Sequence, residues 1–283
     1  MSEPKVLLTG LGIPESPRWH EGRLWFCNWI DRQIAAVSLD GALEVTPMRS
    51  PVPMGYSIDW LPDGSLLVTG QGLHRVEDDG TLVARADLSD LADRWNEIVV
   101  DGRGNVYVNS SHDPRTGPAA GVIALVTADG SVRQVAGDIQ FPNGMVIAPD
   151  NRTLVISESF AGRLTAFDID ANGGLSNRRT FAEGLGPDGI CLDAEGAVWV
   201  GTADFSIVRV AEGGEVLQRV ELPENRAAFG LMLGGPDRRT LFIMAPEWRP
   251  AVGASKNLQR LASGPRTGEI LTIPASVPGA GWP

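Results

Sequence analysis

Histidine and cysteine are scarce in this sequence, with three and two among 283 residues. No Cys-x-x-Cys pair occurs, so a zinc knuckle or a thioredoxin-type redox site has no support. Cys27 and Cys191 stand far apart and read as two reduced, buried thiols. Basic residues are also outnumbered: 24 Lys and Arg face 35 Asp and Glu, for a formal charge of −11, and there is no basic run. Such a surface repels phosphate, which argues against nucleic acid as a partner. No stretch approaches the roughly 20 apolar residues of a membrane helix, so no membrane partner is expected. Met1 to Gly10 contains a single lysine and no apolar run of signal-peptide length, which predicts a cytoplasmic chain. Long helical periodicity is missing. Gly10-Leu11-Gly12 is too short for a dinucleotide fingerprint, and neither a Gly-x-Ser-x-Gly elbow nor a Ser-His-Asp constellation is legible.

What the chain has instead is punctuation. Its 34 Gly and 20 Pro are spread along the length, as expected of short strands separated by many turns. One pattern recurs six times: an apolar run, a turn rich in Asp or Gly, and a second apolar run. The copies occupy residues 17–26, 58–68, 98–108, 145–156, 190–200 and 231–243. Each reads as a β-hairpin, and the turns recur about every 40 to 48 residues, the length of a four-stranded propeller blade. A weaker apolar run follows most copies, as at 34–37, 74–76 and 123–126, each leading to Asp-Gly. The pattern predicts an all-β fold, a six-bladed β-propeller forming a single domain over residues 1–283. Extra strands at residues 6–8 and 269–273 complete one blade together and close the ring, leaving no exposed edge. A two-sheet sandwich would not explain six similar periods.

Equivalent positions in such a ring point at one axis. Those just before the six hairpins are Glu15, Ser57, Asn96, Asn143, Asp188 and Phe229. Glu15, Asn96, Asn143 and Asp188 should therefore converge. Two carboxylates and two amide oxygens around one point suit a hard divalent cation, and packing them without one costs repulsion and desolvation. Asn and Asp also cap turns, and any one of the four alone would read that way. Calcium, magnesium, manganese and zinc all accept oxygen ligands, whereas a His-rich catalytic zinc finds too few histidines.

At these positions the sequence resembles the SMP-30/gluconolactonase/LRE (regucalcin-like) family. The matching segments are Gly12-Ile13-Pro14-Glu15-Ser16-Pro17-Arg18-Trp19, Arg94-Trp95-Asn96-Glu97, Phe141-Pro142-Asn143-Gly144-Met145 and Gly186-Pro187-Asp188-Gly189-Ile190. The ending Pro278-Gly279-Ala280-Gly281-Trp282-Pro283 is similar to bacterial members, and the likeness covers nearly the whole chain. The resemblance implies Glu15, Asn143 and Asp188 as ligands of one divalent cation, with Asp188 also the catalytic base. It implies Arg94 and Asn96 as substrate contacts, Asn96 also near the metal. The implied activity is metal-dependent hydrolysis of a small-molecule lactone of the sugar type. Hydrolysis of other esters or phosphotriesters, and a non-catalytic metal- or ligand-binding propeller, are the alternatives.

The chain departs from the family pattern after the third hairpin, where Asn109-Ser110-Ser111-His112-Asp113-Pro114-Arg115 replaces the usual Gly-Thr and acidic residue. His112 is accordingly a candidate substrate contact, or else a solvated loop residue. Arg94 could instead pair with Asp93 or Glu97. Met54, Tyr56, Phe160, Phe229 and Trp248 are candidates for an apolar pocket wall. The oligomeric state is not legible.

Overall fold

The inner hairpins share a turning device. In the second of them the Asp63 carboxylate accepts the Ser65 amide at 2.9 Å, and Gly64 supplies a φ of 85°. Asp101 Oδ1 accepts the amides of Arg103 and Asn105 at 2.9 and 2.8 Å, and Asp193 Oδ1 those of Glu195 and Ala197 at 2.9 and 3.1 Å. A side-chain carboxylate that takes the place of water on these amides fixes the bend locally.

The computed structural model describes residues 3–46, 48, 49, 52, 54–111 and 120–281. It opens with β1 (Lys5–Leu11) and then lays down antiparallel sheets in sequence order. The first sheet is β2 (Pro14–His20), β3 (Arg23–Asn28), β4 (Gln33–Val37) and β5 (Leu43–Thr46). The second is β6 (Ile58–Trp60), β7 (Leu66–Val68), β8 (Leu73–Val76) and β9 (Leu82–Ala86). The third is β10 (Ile98–Val100), β11 (Val106–Ser110), β12 (Ala120–Val126) and β13 (Val132–Gln140). The fourth is β14 (Pro142–Ile147), β15 (Thr153–Glu158), β16 (Arg163–Ile169) and β17 (Leu175–Glu183). The fifth is β18 (Ile190–Leu192), β19 (Val198–Gly201), β20 (Ser206–Val210) and β21 (Val216–Glu221). The last holds β22 (Gly230–Gly234), β23 (Thr240–Ala245) and β24 (Gly268–Pro274), with β1 added outside β24. Six four-stranded sheets thus form a ring, a six-bladed β-propeller. The inner strands β2, β6, β10, β14, β18 and β22 touch one another around the axis.

The ring closes as the sequence predicts, with N- and C-terminal strands in one blade. Val6 pairs with Leu271 and Leu11 with Gly268. The core lies between blades: Trp19, Leu24 and Phe26 of the first sheet bury against Phe242, Met244 and Ile270 of the last. Cys27 and Cys191 are free, buried thiols on different blades. Among the described residues there is one α-helix, α1 (Ala254–Ser263), inserted between β23 and β24, and no helix is long and apolar enough to cross a membrane.

Candidate active site at the mouth of the ring

Glu15 sits on β2 and Asn143 on β14; Asn96 and Asp188 sit in the loops that lead into β10 and β18. Each loop is tied to the next blade. Ile58 N–H donates to Ser16 Oγ at 3.1 Å, and Thr69 Oγ1 donates to the Asn96 carbonyl at 2.5 Å. Asn109 Nδ2 donates to the Asn143 carbonyl at 2.7 Å, and Ser157 Oγ to the Asp188 carbonyl at 2.7 Å. Gly144 permits a close approach here, since a Cβ there would lie 2.7 Å from the Ile190 nitrogen. Four residues from four blades are thereby brought to one cavity of about 530 Å³, also lined by Arg94 and Ser111. At the other end of the axis the space beside Arg18, Val99 and Arg238 is only about 40 Å³, too small for a small-molecule ligand.

Glu15 is 2% exposed, and its Oε2 accepts the Ser16 N–H at 2.6 Å. Burial first, then the neighbouring charges of Asp188 and Glu97, push its carboxyl well above the ordinary range. Burial and Glu97 push Asp188 up to about 8, while hydrogen bonding from Asn143 opposes the shift. Two carboxyls held this way are frustrated as anions, and the Arg18 charge offsets only part of that on Glu15. Asn96 adds to that, because its Oδ1 is buried without a hydrogen-bond partner among the described residues. A divalent cation answers all three features. The donor set is all oxygen, as calcium, magnesium and manganese prefer. Among the described residues no three or more His, Cys, Asp or Glu side chains form a metal cluster; of the three candidate ligands two are carboxylates and one, Asn143, is an amide.

Arg94 is exposed at the rim, and among the described residues it pairs with neither Asp93 nor Glu97, leaving its guanidinium available to the cavity. His112 lies outside the described residues. Of the apolar wall candidates, Met54, Phe229 and Trp248 line the cavity. Tyr56 does not; it is fully buried and donates to the Gln33 carbonyl at 2.9 Å. Phe160 is 69% exposed and stacks on Phe141 instead. Asn109 turns away from the cavity to hold backbone, so Ser111 is the described residue of that departing segment that faces it.

Two charged residues beneath the cavity escape sequence reasoning. Glu97 is 3% exposed and accepts the Ser57 hydroxyl at 2.8 Å. Arg18 is 7% exposed, donates to the Ile98 carbonyl at 2.6 Å and lies 3.7 Å from Asp59. Its charge offsets part of the negative potential on Glu15 and Glu97.

The profile of the SMP-30/Gluconolactonase/LRE-like region matches residues 13–246, well over half of the chain. The chain belongs to the SMP-30/gluconolactonase/LRE-like family. Within that family it is 26% identical over 253 residues to pentonolactonase XacC of Haloferax volcanii, covering 86% of this chain and 84% of the relative. It is 29% identical over 196 residues to a 6-deoxy-6-sulfogluconolactonase of Pseudomonas putida, covering 67% of this chain and 65% of the relative. Its fold is similar to that of a calcium-binding protein, regucalcin, from Agrobacterium tumefaciens, at a TM-score of 0.77 and 23% identity over 99% and 95% of the two chains.

Proposed function

We propose that this family member is a divalent-metal-dependent lactonase, a single domain over residues 1–283 that opens the ring of a small lactone with water. The observation that carries the reading is the pair of buried carboxyls, Glu15 and Asp188, each raised by burial and Glu15 further by Asp188, beside the unpartnered Asn96 Oδ1 in one cavity. The lactonase relatives in Haloferax volcanii and Pseudomonas putida support the same reaction class.

Glu15, Asn143 and Asp188 would hold the cation. Bound there, it supplies Lewis-acid polarisation of an ester carbonyl and a lower pKa for water. The chain's own residues do the rest. Asp188 takes a proton from the attacking water and returns it to the ring oxygen as the acyl C–O bond breaks; the hydroxyl stays on the carbonyl carbon and a hydroxy acid leaves. Arg94 orients the substrate through its planar fork, and Asn96 offers both a donor and an acceptor. The two unpaired buried thiols, Cys27 and Cys191, suit a reducing cytoplasm.

Acid release from a lactone panel, followed in a pH-stat, tests the reading. Activity should vanish with chelator and return with calcium, manganese, magnesium or zinc. Glu15→Gln should weaken metal affinity at least ~10-fold, since ligand charge sets affinity in oxygen sites. Full turnover in chelator, or unchanged metal affinity in Glu15→Gln, would sink it.

A further inference from the structure

The cavity has two unlike halves. Glu15, Asn96, Asn143, Asp188, Arg94 and Ser111 are the polar part of its lining. The remaining wall is built from Trp29, Met54, Phe205, Phe229, Trp248 and Leu258. Phe229 and Trp248 pack edge to face with ring centroids 5.0 Å apart, which makes a continuous apolar surface. Leu258 reaches it from α1, the helix inserted between β23 and β24.

Two polar groups of this lining are engaged, whereas the Trp95 indole N–H is buried without a partner among the described residues. Trp29 donates its indole N–H to the Tyr56 carbonyl at 2.7 Å, so it shows the cavity a ring and no donor. The Thr202 hydroxyl is engaged with Asp204 at 2.5 Å and with Ser206. A polyhydroxylated ring placed against such a wall would bury hydroxyls with few partners, which is unfavourable. An apolar substituent would instead gain from the apolar area it covers.

Backbone conformation carries a second, independent sign. Ten described non-glycine residues have positive φ. Two are phenylalanines, Phe141 at 57° and Phe205 at 64°, and both line this cavity. The left-handed region is unfavourable for a bulky aromatic, and Gly or Asn would fill both bends more easily. Phe205 closes the turn that begins at Thr202, with its N–H on the Thr202 carbonyl at 3.0 Å. An aromatic ring retained at local backbone cost and aimed at a substrate cavity points to the ring's use there.

We infer that the substrate is a lactone bearing an alkyl or aryl substituent, whose apolar part lies on the Phe205, Phe229, Trp248 and Leu258 wall while its ring ester faces Asp188. This rests on the lactonase reading above. It sets the chain apart from enzymes shaped for fully hydroxylated sugar lactones.

The test compares δ-decalactone and dihydrocoumarin with D-glucono-1,5-lactone, at a saturating divalent cation. The substituted lactones should be better by at least ~10-fold in kcat/KM. Phe205→Asn keeps a residue tolerant of the turn and removes the ring. It should leave the melting temperature within a few degrees, raise KM for δ-decalactone about tenfold, and change D-glucono-1,5-lactone less than about threefold. A second readout needs no turnover: calorimetric binding of 6-pentylpiperidin-2-one, the lactam counterpart of δ-decalactone, against D-gluconolactam. The pentyl lactam should bind tighter, and Phe229→Ala should remove most of the difference. Preference for D-glucono-1,5-lactone, or equal losses on both substrates in Phe205→Asn, overturns the inference and leaves the lactonase reading standing. Tighter binding of the pentyl lactam with no turnover of any lactone refutes the lactonase reading and keeps the apolar wall as a ligand site. If neither lactam binds, the inference falls.

Discussion

Asp188 serves as ligand and as base in the proposed reaction, whereas Arg94 touches only substrate, and the two roles separate kinetically. Asp188→Asn at full metal occupancy should lower kcat by about 10²- to 10⁴-fold with little change in KM, the usual share of a positioned acid–base group. Arg94→Ala should retain the metal, raise KM and cost about 1–3 kcal/mol in kcat/KM, because its contact exists in ground and transition states alike. Steady-state kinetics on the best lactone, with metal content measured alongside, decides both. Normal turnover in both variants would mean the motif marks a binding site alone. Glu15, Asn96, Asn143 and Asp188 were legible because rotational repetition sends equivalent positions to one axis. Glu97 and Arg18 were not. A charged residue beside or within a short strand reads as solvated, and only three dimensions show that the inner strands have no solvent face. Phe205 was hidden for a related reason, since a loop side chain's direction is set by the neighbours that crowd its turn.

At the scale of elements, the expectation that ring closure leaves no exposed edge fails, because each sheet is open and keeps an outer strand; in the last blade that strand is β1, which covers β24. Its outward residues are exposed, but Leu7 and Leu8 pack on the cluster of Trp19 and Phe242, and Leu11 is 4% exposed. Deleting residues 1–10 should cost about 2–5 kcal/mol, from the apolar area lost, and should uncover β24 as a pairing edge. Urea unfolding should show the lower midpoint, and size-exclusion chromatography should show association at high concentration. Unchanged stability would mean the ring holds shut through its inter-blade core alone. The strands themselves were legible, because an Asp or Gly turn between apolar runs is a local signal and the blades are made of consecutive hairpins. α1 was not legible. It spans Ala254–Ser263 with only two leucines, so it leaves no extended periodic stripe, and its contribution to the cavity is a matter of where the blade edge carries it.

For the molecule as a whole, the buried carboxyls predict an unusual response to pH. Glu15 and Asp188 hold protons more tightly in the folded ring than in the unfolded chain. At these two sites the native state binds more protons between the ordinary carboxylate range near pH ~4 and the value of about 8 for Asp188, so their contribution to stability falls as pH rises through that window, against a smaller opposite contribution from the half-buried His20 and His74. Metal-free protein should melt at a lower temperature at pH ~8.5 than at pH ~5, and Asp188→Asn should flatten the trend. Added calcium or manganese should restore stability most at the alkaline end, where the ligands have already lost their protons. Thermal scans across pH with and without metal check this; a metal-free ring that gains stability with rising pH in parallel with Asp188→Asn would contradict it. The strand exchange that joins β1 to β24 also has a meaning in time. During translation β1 emerges before every other strand of the ring, and its partner emerges after all of them. Until then the nascent chain is an open arc, with the Trp19 and Phe26 face of its first blade waiting for Phe242 and Ile270. Completion is a single late event spanning nearly the whole polypeptide, the kind of distant pairing that makes maturation slow and gives chaperones something to hold.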